Sequence, residues 1–243
     1  MRTTVAGLIF VCAAVLPPLV AQADTPVRRT IERSAPTAAH VRIEGSTGDV
    51  EVLGDDGSTV RVTARVRASS DAAAAKVSVD VARSGDETVV TVNVPQSSPA
   101  FVSWIFDNRR ISVDLVVRVP RRSGLVAHLS TGDLDVHGLA AAIDARSSTG
   151  DVHLHDVAAD ASATTSTGDV IVDLAPNWHV ARLTARTSTG DVRINAPSAL
   201  RSHVHVQVRT SVGDVRNALG NANVASPSIE AQTSVGDVTI ATH

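Results

Sequence analysis

The residues best placed to do chemistry in this chain recur at fixed offsets from a repeated Gly-Asp pair. Asp49, Asp133, Asp151, Asp169, Asp191, Asp214 and Asp237 each follow a glycine. Stacked at the ~4.8 Å spacing of neighbouring strands, such carboxylates repel by about 1 kcal/mol per neighbour in water, and several-fold more at a surface-type dielectric. They must either cap N–H groups of the bend or be bridged by cations. Capping is the expectation, because calcium takes about six to eight oxygen ligands and one carboxylate per repeat falls short. A second group is His137, His155 and Asp173, five places after their glycines, beside Asp135 and His153, three places after. Imidazoles and carboxylates converging at one strand spacing have the donor set for zinc or copper. The alternative is that outward histidines simply occupy a wet strand face. A third row, four places before the glycine, contains Arg146, Arg186 and Arg209. It either binds an acidic partner or is a solvated face that keeps sheets from sticking. Asp144, Asp156, Asp160 and Asp173 are the acids a polysaccharide-active β-helix would need, but they lack aromatic platforms. No Ser-His-Asp or Cys-His pattern announces a nucleophile, so no catalytic residue is assigned.

These side chains can converge only if the chain stacks. The unit Ser-Thr-Gly-Asp-Val starts at Ser46, Ser148, Ser166 and Ser188, with Leu134 closing the copy at Ser130, and Val replaces Thr in the copies at Ser211 and Ser234. Gly48, Gly132, Gly150, Gly168, Gly190, Gly213 and Gly236 mark the phase, and from Gly132 onward they lie 18, 18, 22, 23 and 23 residues apart. A period of that size is the signature of stacked repeats. Apolar residues alternate with polar ones on both sides of each bend: Leu125, Ile143 and Leu183 seven places before the glycine, and Val152, Val170 and Val192 two places after. Each repeat is therefore two short strands joined by a bend. The expected fold is all-β: a β-solenoid (parallel β-helix or β-roll) over 121–243, with 39–120 as an irregular antiparallel cap. A β-sandwich is the alternative, since the number of short strands also allows it.

Ahead of the repeats, residues 1–23 read as a signal peptide: Arg2, an apolar run over 5–20 broken by Pro17-Pro18, and Ala21-Gln22-Ala23 as a cleavage site. Residues 24–38 are polar with two prolines and read as a flexible lead-in. The lone cysteine, Cys12, falls in the leader, so the exported chain has no thiol chemistry. The formal net charge is −3, and Lys76 is the only lysine, which argues against a nucleic-acid groove. No segment after the leader is long and apolar enough to span a membrane. Residues 95–110 contain Phe101, Trp104 and Phe106; they either fold over the open end of the stack or, as an exposed tip, touch a partner.

A strand ending in Val119-Pro120, followed by repeated T-S-x-G-D-V blocks behind a leader, resembles the bacterial "putative adhesin" family of β-strand-repeat proteins, related to the GIN head domain. The resemblance covers roughly 40–243 and implies a β-solenoid exported to the periplasm or cell surface of a bacterium; it supplies no catalytic residues. The expected function is a non-catalytic binding or envelope-scaffold module with no cofactor, whose partner is an envelope protein or glycan. The alternative is a periplasmic metal-binding protein using the outward histidines, with zinc or copper there or calcium on the aspartate row. The strand Val238-Thr239-Ile240 has no evident cap, so homo-association through this C-terminal edge is also expected.

Overall fold

The computed structural model describes residues 27–94, 111–178, 182–223, 225 and 227–243. Residues 1–23, expected to be a leader, and the aromatic stretch 95–110, including Trp104 and Phe106, lie outside them. With strands numbered in chain order, each repeat contributes one strand to each of two large, mostly parallel sheets. The pairs are β2 (His40–Thr47) with β3 (Val50–Asp55), β8 (Gly124–Thr131) with β9 (Leu134–His137), and β10 (Ile143–Thr149) with β11 (Val152–Val157). They continue as β12 (Ala161–Thr167) with β13 (Val170–Leu174), and β14 (Arg182–Arg186) with β15 (Val192–Ala196). The last two are β16 (His205–Arg209) with β17 (Val215–Asn217), and β18 (Ser228–Gln232) with β19 (Val238–Thr242). The second members join a ten-stranded sheet and the first members a nine-stranded one. Their in-register parallel pairing, Val152 beside Leu134 and Val170 for example, departs from the antiparallel sandwich.

Alternation explains the interior. The residues two and four places after each glycine in the inner coils, such as Val152, Leu154, Val170 and Val172, are buried, as are Ala145 and Ala163 on the facing strands. Small residues opposite large ones let two sheets pack closely around a thin core. Polar residues between them face outward. A one-residue slip would expose the whole apolar set, so the register is strongly specified.

The bends hold the coils together through three ladders. The amide of Gly150 donates to the Thr167 carbonyl of the next coil at 2.9 Å. Thr165 Oγ1 donates back to the Gly150 carbonyl at 2.9 Å, as Thr187 does to Gly168 and Thr233 to Gly190. Asp151 Oδ1 accepts from the Asp169 amide at 2.7 Å, and Asp169 from the Asp191 amide at 2.8 Å. The aspartates thus reach along the stack rather than inward. Each bend sits almost on the one before: a Cβ on Gly150 would lie 2.2 Å from the Gly132 carbonyl oxygen, and its φ is +130°. Only glycine tolerates both conditions.

Three expectations are corrected. Residues 27–36 are no flexible lead-in: β1 (Val27–Pro36) pairs antiparallel along the whole of β4 (Thr59–Ala68). Ile31 alone in β1 belongs to the buried core, so backbone pairing rather than a side-chain pattern forms this strand. Nor is all of 39–120 an antiparallel cap. Val41 and Val50 pair in parallel with Leu125 and Leu134, which makes β2 and β3 a regular coil. The antiparallel part is the remainder: β4 beside β7 (Ser112–Pro120), and the hairpin of β5 (Ser78–Ser84) and β6 (Glu87–Asn93). Third, the Val238–Thr242 strand is no open edge, because β19 lies between β15 and β17. The coil last in sequence is inserted before the coil that precedes it, so the outermost strands at this end are β16 and β17, with Val212 and Val215 exposed.

Arg42 joins the first coil to the hairpin by two bonds to Glu87, at 2.7 and 3.0 Å. The hydrogen bond from Arg42 holds the Glu87 carboxyl below its usual value. A carboxyl lowered in the folded state stabilises above its unfolded pKa, and that contribution is lost as pH falls through the folded value. Acid unfolding of Glu87→Gln should therefore show a shallower pH dependence on the acid side than the parent; identical acid limbs would show that the pair does not contribute. The bend contact sets a second expectation. Gly150→Ala should destabilise by at least about 4 kcal/mol in denaturant unfolding. Gly85→Ala, at φ +60° with no atom within 4 Å of the added Cβ, should cost only about 1–2 kcal/mol. Similar losses for the two would refute the close-approach argument.

Candidate functional site

Outward positions on the strands carry the side chains with chemical potential. On the ten-stranded sheet, parallel pairing sets His153 beside Asp135 and His155 beside His137. His153 Nδ1 lies 3.1 Å from Asp135 Oδ1, and His155 Nδ1 lies 2.9 Å from Asp173 Oδ2. Ionised carboxylates only accept, so each pair places the ring proton on Nδ1 and the lone pair on Nε2. The His137 and His155 rings stack with centroids 4.4 Å apart and planes within 4°, while His153 meets His155 edge-on at 6.3 Å. Asp173 also accepts from Asn195 Nδ2 at 2.7 Å, which fixes its carboxylate. Ligand atoms of Asp135, His153 and His155 lie within 4.8 Å of one another. Of the five residues expected together, these three form the ligand cluster; His137 stacks against it and Asp173 anchors His155 from outside.

The aspartate row is engaged along its length. Asp133, Asp151, Asp169, Asp191 and Asp237 each use Oδ1 to cap an aspartate amide of the neighbouring coil, as Asp49 does for Asp133. Arg193 pairs with both Asp169 and Asp191, at 3.0 and 2.7 Å, which offsets the repulsion between those two. Arg216 is placed likewise between Asp214 and Asp237. The carboxylate spacing that raised the question of calcium is thus handled by backbone N–H groups and guanidinium groups.

On the nine-stranded sheet, the three arginines are paired. Arg146 meets Asp144 at 2.8 Å, Arg186 meets Glu230 at 2.8 Å, and Arg209 meets the same Glu230 oxygen at 3.5 Å. The row is consequently less cationic than three arginines imply. Sequence reasoning followed this column and missed the one beside it. There Val126, Asp144, Ser162 and Thr184 line a groove of about 370 Å3, whose lining also includes Asp160 and Arg182. The signal was readable: an apolar residue and small hydroxyl residues occupy outward positions where long charged side chains are common. Of the other acids weighed for glycan cleavage, Asp160 accepts at Oδ1 from the Arg182 amide at 2.7 Å. Asp156 has φ +55° at a register shift in β11. Since exposed ion pairs contribute about 0–1 kcal/mol, Arg186→Ala should leave the unfolding midpoint nearly unchanged. A loss above about 2 kcal/mol would mark the row as structural instead.

The architecture is similar to that of solved bacterial proteins. A "putative cell adhesion protein" from Clostridium sporogenes ATCC 15579 superposes with a TM-score of 0.52 at 11% identity, over 88% of this chain and 100% of that one. A "putative adhesin" from Bacteroides fragilis NCTC 9343 gives a TM-score of 0.48 at 13% identity, over 88% and 97%. No curated protein matches the sequence significantly. The family model described as Toastrack DUF4097 matches residues 23–243, and the chain belongs to that family.

Proposed function

We propose that this chain is an exported, non-catalytic β-solenoid that serves as a binding or scaffold module of the bacterial envelope. The observation that carries the reading is the groove of about 370 Å3 on the outer face of the nine-stranded sheet. Its mixed lining, apolar at Val126 and polar at Asp144, Asp160, Ser162 and Arg182, suits an envelope protein segment or a glycan. The stack beneath is braced coil by coil, so the groove is preformed and binding costs little ordering entropy. The leader-like residues 1–23 support export, and no helix among the described residues is long and apolar enough to cross a membrane. The description of the Clostridium sporogenes structure as a "putative cell adhesion protein" agrees with this reading. Among the described strands, β17 ends the ten-stranded sheet with Val212 and Val215 exposed; this edge suits association with a second chain by strand addition, whereas on β16 the Val206 amide already donates to Asn221 Oδ1.

The test is retention of the purified protein, without residues 1–23, on isolated bacterial envelopes. Ser162→Trp, which fills the groove from an outward position, should reduce retention at least about tenfold while thermal unfolding is unchanged. Arg209→Ala, on the neighbouring column, should retain the parent behaviour. Equal retention of parent and Ser162→Trp, or none by either, would refute the groove as the binding surface.

A further inference from the structure

We propose that Asp135, His153 and His155 form a binding site for a single zinc ion on the outer face of the ten-stranded sheet. Two observations converge. One ligand atom from each residue falls within 4.8 Å of the other two. His153 Nδ1 and Asp135 Oδ1 lie 3.1 Å apart, close to the spacing of adjacent ligands around zinc, whose bonds to nitrogen and oxygen are about 2.0–2.2 Å. Zinc on Nδ1 takes the place of the proton this nitrogen otherwise donates to Asp135, and the neutral ring then carries its proton on Nε2.

The surroundings favour zinc over harder ions. Two neutral imidazoles and one carboxylate match its preference, whereas calcium and magnesium call for mostly oxygen ligands. His155 has the outer-shell support typical of a metal ligand: its Nδ1–H donates to Asp173 at 2.9 Å, and Asp173 is itself held by Asn195. Such a carboxylate fixes the tautomer, orients the ring and strengthens Nε2 as a donor. His137, stacked on His155, limits the swing of that ring. All three ligand side chains are half-exposed, so rotation about their own bonds can close the remaining distance without moving a strand. Three protein ligands leave the fourth tetrahedral position to water.

The experiment uses the chain purified without an affinity tag, stripped by chelator and titrated with zinc chloride alone in a calorimeter. Cobalt(II) is added in parallel as the absorbing probe of ligand geometry. One equivalent of zinc should bind, and cobalt should show the visible absorption of a tetrahedral site. His153→Ala and His155→Ala should each weaken binding at least about tenfold, and the double variant should remove the equivalent. Asp173→Ala, a positioning change, should weaken it by roughly 10–100-fold without abolishing it. His203→Ala/His205→Ala removes two histidines at the other end of the chain and should leave the stoichiometry intact. Should the double variant unfold, Asp135→Asn, which keeps the side-chain shape, carries the same test and should also weaken binding. The site is overturned if the parent binds no more zinc than the His153, His155 and Asp135 variants, or if the loss follows His203 and His205.

Discussion

The approach of one bend to the next is the constraint on which the rest of the structure depends. With the Gly132 carbonyl oxygen 2.2 Å from where a Gly150 Cβ would be, the corner admits no side chain. It also turns polar backbone groups along the stack, where water reaches them poorly and another partner is needed. The Asp carboxylate takes the amide, and the Ser or Thr hydroxyl three places before the glycine takes the carbonyl. Glycine, aspartate and the hydroxyl residue are thus three answers to one packing problem. That is why they recur together.

This division of labour frees the strand faces. Core positions are fixed by the thin interior and corner positions by the ladders, but outward positions meet neither demand. They vary from coil to coil: Asp135, His153, Ile171 and Arg193 occupy one column, and Val126, Asp144, Ser162 and Thr184 another. Parallel register places whatever stands in a column at strand spacing. A histidine two residues from another, set above an aspartate, becomes a cluster with no specialised loop. A run of small or apolar outward residues becomes a groove by the same rule.

Patterns confined to one period were legible in the sequence, and relations between distant segments were not. The alternation around each Gly-Asp pair marked both core columns, and the shared phase of Asp135, His137, His153, His155 and Asp173 brought them to one face. The same phase was present at Val41, Ile43, Val50 and Val52, yet the long insertion after this coil concealed that it stacks beneath the copy at Gly132. Strand β1 gave no warning, because its pairing with β4 runs through the backbone. The arginine column looked cationic because Glu230, which serves both Arg186 and Arg209, stands in the adjacent column of another coil. Spacing reveals who shares a column; it does not reveal which neighbour neutralises whom.

The interchange of the last two coils bears on how the molecule can be assembled. Among the described strands, β16 pairs only with β18, and β17 only with β19. A chain emerging from its N-terminal end can lay down coils up to β15 one upon another, each on a finished template. The stretch containing β16 and β17 then has no template, since the place beside β14 and β15 belongs to residues not yet present. It must wait unpaired until β18 and β19 dock, and only then closes over them. The far end therefore forms as one concerted four-strand event, not by stepwise growth.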